Sequence, residues 1–145
     1  MKFPPPTLTE IAVLRSLAPV CELLGRVLLC LLFLMAGLIK IGTYAEMVAY
    51  MSSHGVPAAL LPAVIATETL GALAVALGWK TRVVAFLLSG YSLLTAQIFH
   101  HDFSDQDQML MFLKDVSIAG GFLLLLANGA GPISLDARRK RGSTD

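Results

Sequence analysis

The chain has 145 residues, 56% of them hydrophobic and 14% charged, against about 45–50% and about 25% for a typical soluble domain. With a mean hydropathy of +0.73 there are too few polar side chains to clothe a globule, which excludes an ordinary water-soluble protein. Eleven basic and ten acidic residues give a net charge of +1, so neither a nucleic-acid partner nor an acidic disordered tail is expected.

The N-terminal residues 1–18 do not read as a cleavable signal peptide. Pro4, Pro5 and Pro6 follow Lys2, and the apolar run starts late and outlasts the short core of such a peptide. Thr7–Leu17, with Leu8, Ile11, Leu14 and Arg15, reads instead as a cytoplasmic helix lying on the headgroups. Four apolar segments follow, at Leu23–Ile41, Leu60–Gly78, Val83–Phe99 and Met109–Ala127. At about 1.5 Å per residue each can cross a hydrocarbon layer about 30 Å thick. Lipid offers no partner to a free N–H or C=O, so each must be helical, and period-2 alternation is absent. Between the first two, Tyr44, Met47, Val48 and Met51 recur at helical spacing before His54-Gly55-Val56-Pro57, which predicts a short outer helix stopped by Gly and Pro. Residues 128–145 read as a basic tail in which Arg138–Arg141 anchors the topology and is able to touch anionic lipid.

Outside the spans the basic residues are Lys2, Arg15, Lys80, Arg82, Arg138, Arg139, Lys140 and Arg141, while segments 42–59 and 100–108 contain none. Basic segments stay cytoplasmic. The expectation is therefore an all-α membrane protein, a single domain over 1–145 forming a four-transmembrane-helix antiparallel bundle with both termini cytoplasmic. Gly37, Gly71, Ala72, Ala74, Gly90, Gly120 and Gly121 are the expected points of close helix approach.

Ionisable groups inside a span cost about 2.5–3.5 kcal/mol at the bilayer centre and need a partner or a wet cavity. Arg26, Lys40, Glu68 and Lys114 qualify. Arg26 follows Glu22 by four residues, the favourable order for an ion pair on one helix, and reads as structural. Glu68 falls about 12 Å below the outer edge and Lys114 about 7–8 Å. Two readings stay open: an ion pair between them that fixes helix register, or an outward-opening pocket in which one of them exchanges a proton or binds a ligand. Tyr91, Thr95 and Ile98 share a face that could line the same pocket, and Ser117 continues the face of Lys114. His54, His100 and His101 lie on the outer side, but adjacent residues on a helix point about 100° apart and no chelating spacing occurs, so no metal site is expected. Cys21 and Cys30 fall on opposite faces of the first helix, which removes paired-cysteine thiol oxidation.

Gly25-Arg26 with Phe33-Leu34-Met35-Ala36-Gly37-Leu38-Ile39-Lys40 resembles the first-span signature of the DoxX family. Glu68, Leu77-Gly78-Trp79-Lys80-Thr81-Arg82, His100-His101, Lys114 through Gly121, and Gly131 through Asp136 resemble its YphA-type members, so the likeness runs over about residues 20–137. Asp115 stands where the family commonly carries Asn. The resemblance implies a four-helix fold in a bacterial inner membrane and an association with quinone-linked redox systems. It leaves open whether the protein is an enzyme.

Three functions remain. One is a redox-accessory bundle holding a quinone or another lipophilic ligand, with Glu68 and Lys114 as the chemical groups and Tyr91, Thr95, His100, His101, Lys40 and Ser117 around the ligand. Electrons would come from a membrane partner, because no flavin, haem or thiol site is present in the sequence. Another is permeation of a small solute or proton. The last is a non-catalytic assembly partner, docking another membrane protein or a second copy through small residues such as Gly120-Gly121.

Overall fold

A computed structural model describes residues 8–142. Its helices are α1 (Leu8–Gly42), α2 (Tyr44–Ser53), α3 (Leu61–Leu77), α4 (Thr81–Phe99), α5 (Gln106–Asn128) and α6 (Leu135–Arg141), with a 3-10 turn at Ala58–Leu60 before α3. Four stretches are long and apolar enough to cross a membrane: Arg15–Gly42, Ala58–Leu77, Thr81–Phe99 and Gln106–Asn128. Large apolar side chains point outward from them, with Leu28, Leu70 and Leu124 each 66% exposed. Water would penalise that surface and lipid does not.

Of the helix expected at Thr7–Leu17, Thr7 lies outside the described residues and the rest is continuous with the first span. Leu8–Gly42 is one α-helix that runs through Pro19. A proline ring removes a single backbone bond, and the long apolar stretch after it carries the helix on. At 35 residues α1 extends about 52 Å, well beyond the hydrocarbon thickness. The short helix expected after the first span is present as α2.

The bundle is built from two tight pairs. α1 lies along α3 and α5 along α4, and the pairs join through sparser contacts between α3 and α4 and between α1 and α5. A core of Cys30, Phe33, Ala72, Val75, Ala85, Leu88 and Phe122 fills the middle, with Phe33 edge-on to Phe122 at 5.4 Å between ring centroids. Among the expected small-residue contacts, Gly37 meets Glu68 and Thr69, Gly71 meets Leu88, and Gly121 meets Leu29. Gly90 and Gly120 have nothing within 4 Å, so the Gly120-Gly121 pair divides between an outward residue and one inside the bundle.

The basic end is closed by the segment read from sequence as a tail. Ser134 accepts a bond from the Ala137 N–H at 3.1 Å and caps α6. The Asp136 N–H donates to Gly78 O at 2.8 Å, while its carboxylate accepts from the N–H groups of Lys80 and Thr81 at 2.8 and 2.9 Å. Those are the free donors at the start of α4, which a carboxylate satisfies both by hydrogen bonding and by facing the positive end of the helix dipole. Lys80 itself has a positive φ of 46°.

Arg26 sits beneath this cap and is 1% exposed. Its expected partner was Glu22, but its guanidinium donates to Ala130 O at 2.6 Å and Ile133 O at 2.8 Å, with Glu22 and Asp136 supplying charge from farther away. Carbonyls in the turn after α5 point into the bundle, and a rigid fork of donors reaches two of them at once.

Candidate functional site

At the opposite end the two helix pairs diverge around a cavity of about 330 Å³, within the range of about 300–1,000 Å³ usual for small-molecule sites. Apolar side chains dominate its walls, among them Leu32, Phe33, Val64 and Ile98, and α2 covers it with Met47, Tyr50 and Met51. Tyr50 is held there by stacking on Phe99 at 5.4 Å. Six of the candidate site residues from the sequence analysis line this one space: Lys40, Glu68, Tyr91, Thr95, His100 and Lys114.

Local helix geometry explains how they meet. Gly37 lacks a side chain, so α1 lies against α3 closely enough that a Cβ at Gly37 would fall 3.3 Å from the Glu68 Cβ and 2.5 Å from Thr69 Cγ2. Lys40 follows Gly37 by three residues on the same face, and helical side chains lean toward the N-terminus. Its ammonium therefore leans back along α1 to the level of Gly37, where it lies 2.9 and 2.8 Å from the two Glu68 oxygens. The Tyr91 hydroxyl donates to Glu68 Oε1 at 2.7 Å from α4. The carboxylate, in a residue only 5% exposed, thus receives three charge-assisted hydrogen bonds, two of them from an ammonium.

The partner of Glu68 is accordingly Lys40, and a Glu68–Lys114 ion pair, one of the two readings the sequence leaves open, does not form. Lys114 is 41% exposed in its side chain, 3.4 Å from Asp115 and 3.3 Å from the Met111 sulfur, both on its own helix. Comparable depth placed it within reach of Glu68, but the close α1–α3 approach fills that position first.

The hydrogen-bond assignments change what each polar group can offer a ligand. Tyr91 spends its proton on Glu68, and Thr95 Oγ1 donates to Ser92 O at 3.0 Å within α4. Ser117 Oγ bonds back to Leu113 O, is exposed, and lies outside the cavity. His100 bonds Gln108 Oε1 through Nδ1 at 2.9 Å, whereas His101 is exposed and lies outside the cavity lining. Ser92, visible in the sequence only as one more polar residue of the third span, is 2% exposed, lines the cavity, and has an Oγ with no partner among the described residues. A helical serine normally bonds its own backbone; here the preceding-turn position is left unused. Burial without a partner costs about 1–3 kcal/mol, so this hydroxyl is an unsatisfied polar group in the cavity wall.

The fold and its outward apolar surface define a multi-pass membrane protein built as a four-span bundle with a mainly apolar cavity, holding a few polar groups, at one end. The family profile of DoxX matches residues 21–101, and the chain belongs to that family. It is 43% identical over 123 residues to the Escherichia coli inner membrane protein YqjF, covering 85% of this chain and 95% of that protein. To the E. coli inner membrane protein YphA it is 42% identical over 127 residues, covering 83% of this chain and 91% of that one. No solved structure matches it significantly. The chain is an integral protein of the inner membrane.

Proposed function

We propose that this protein binds a lipophilic molecule with an oxygen-bearing head, of the quinone type, and serves as an accessory to a membrane redox system whose electrons come from a partner protein. The observation that carries this reading is the Ser92 hydroxyl, buried and unpartnered in the wall of a mainly apolar cavity beside the Lys40–Glu68–Tyr91 cluster. Ser92 donates to a ligand oxygen. Lys40 retains an N–H beyond the two directed at Glu68. Glu68 and Tyr91 are the groups through which a proton passes when the head changes oxidation state. By the charge bias of the loops we place the cavity on the outer side and both termini in the cytoplasm.

The packed layer of Phe33, Phe122, Val75 and Leu88, with Arg26 and the α6 cap behind it, separates the cavity from the basic end. That barrier weighs against permeation.

The test is titration of the protein in lipid nanodiscs with a ubiquinone-type ring. Saturable binding is expected, weakened about fivefold to tenfold by Ser92→Ala, the worth of about one hydrogen bond. Absence of saturable binding to wild type overturns the reading. A Lys40→Met/Glu68→Leu double variant that folds and keeps full biological function would favour the assembly-partner reading instead.

A further inference from the structure

The cavity wall adjoins the apolar outer surface of the bundle between α1 and α5. α1 and α5 touch through Leu29 and Gly121 and through Phe33 and Phe122, and otherwise their contact is sparse. A groove runs along one stripe of α1, formed by Leu28, Leu31, Leu32, Met35, Ala36 and Ile39, with Lys114 of α5 beside it. From Leu28 to Ile39 it is about 16 Å long by helical rise. Leu32, Ala36 and Lys114 belong to the groove and to the cavity wall alike, so the two spaces adjoin across these side chains. Lys114 is half-exposed, and its recorded partners, Asp115 and Met111, are on its own helix. Among the described residues no hydrogen bond or ion pair ties α1 to α5 at the level of Lys114.

We infer that the α1/α5 seam is the lateral entrance to the cavity and that the groove holds the tail of an amphiphile whose head occupies the cavity, which rests on the ligand-binding reading above. The apolar stripe fits a hydrocarbon or isoprenoid chain and offers nothing to a polar one. The charges on the cavity wall cancel, Lys40 against Glu68 and Lys114 against Asp115. An anionic head would therefore lose its hydration without gaining a net positive field. The head that fits is uncharged, with a carbonyl or hydroxyl oxygen for Ser92, and it arrives from the bilayer and not from water.

The experiment compares a ubiquinone ring without a tail, its decyl homologue and dodecyl phosphate, each titrated into nanodiscs and corrected for partition into lipid. Wild type should bind the decyl compound more tightly than the bare ring, and dodecyl phosphate should compete with neither. Leu31→Trp or Met35→Trp, both on the outer wall of the groove, should weaken the decyl compound about tenfold, equivalent to about two methylenes withdrawn from contact, and leave the bare ring unchanged. Leu124→Trp, on an outward face of α5, should alter neither. Unequal behaviour of the two rings is the signature sought. If both rings bind wild type and the groove variants, with unchanged thermal unfolding, affect both equally or neither, the lateral entrance is wrong while the cavity reading stands. Strong competition by dodecyl phosphate overturns the uncharged head. If no ring binds wild type, both proposals fail together.

Discussion

Lys40 and Glu68 form a two-pronged ion pair across α1 and α3, with the ammonium 2.8–2.9 Å from each carboxylate oxygen. Removing one member of a buried pair leaves an uncompensated charge, at a cost of about 3–5 kcal/mol, whereas replacing both with apolar groups is often nearly neutral. Lys40→Met and Glu68→Leu should each lower the thermal unfolding midpoint sharply, and the double variant should recover most of the loss. Additive losses in that cycle would show that the pair is not the stabilising unit.

Gly37 is what lets that pair form. Gly37→Ala pushes a methyl against Thr69 and Glu68, which forces α1 away from α3. Loss of about 1–3 kcal/mol is expected, the usual cost of overpacking, together with weaker ring binding as Lys40 withdraws. Gly90→Ala meets open space and should be neutral or slightly stabilising, since Ala is the better helix former. Thermal unfolding of the two variants side by side checks the contrast, and similar losses would refute the close approach.

Gly131 and Gly78 have φ of +75° and +72°, and a Cβ on either would collide, with Glu22 in the first case and Ser134 in the second. Alanine at each position combines left-handed backbone strain with a clash. Both variants should expose the 129–134 turn to protease and lower the unfolding midpoint, more than Gly25→Ala, which has no neighbour within 4 Å. Unchanged proteolysis would contradict the docking of α6.

Burial works against ionisation of Asp136, but the backbone donors of Thr81 and Lys80 and the charge of Lys140 outweigh it and hold the carboxyl below its ordinary value. A carboxyl lowered by folding adds stability that is present above its unfolded value, about 3.9, and is lost as pH falls through the lower folded value. Wild type should therefore exceed Asp136→Asn in unfolding midpoint at pH near 6, and the gap should narrow toward pH 3. A gap independent of pH would assign the cap to geometry alone.

The spans were legible because a bilayer imposes one length and one secondary structure on any chain that crosses it. Glu68, Tyr91 and Thr95 were legible for a related reason: a polar residue at membrane depth needs company, and helical spacing places it on a face. The partners were not. The lean of Lys40 follows from helix geometry, but only the Gly37 contact brings it to Glu68, and which helix packs there is not written in the sequence. Lys114 had comparable depth but sits at the seam. Arg26 was assigned a carboxylate four residues away because ion pairs leave a sequence signal and backbone carbonyls do not. Ser92 resembled any serine in a span, since an absent hydrogen bond has no sequence signature. The α6 cap did leave one, in Ser134 followed by Asp136, the order of a helix start, though its docking onto α4 depends on tertiary packing.

The two carbonyls that hold the Arg26 guanidinium lie 104 and 107 residues downstream. During translation the N-terminal half therefore enters the bilayer carrying a cation whose acceptors do not yet exist. Synthesis proceeds at about 5–20 residues per second, so several seconds pass before Ala130 and Ile133 emerge from the ribosome. The seat of Arg26 is thus completed only by the turn after α5, and a product cut short before that turn leaves the guanidinium without those two acceptors.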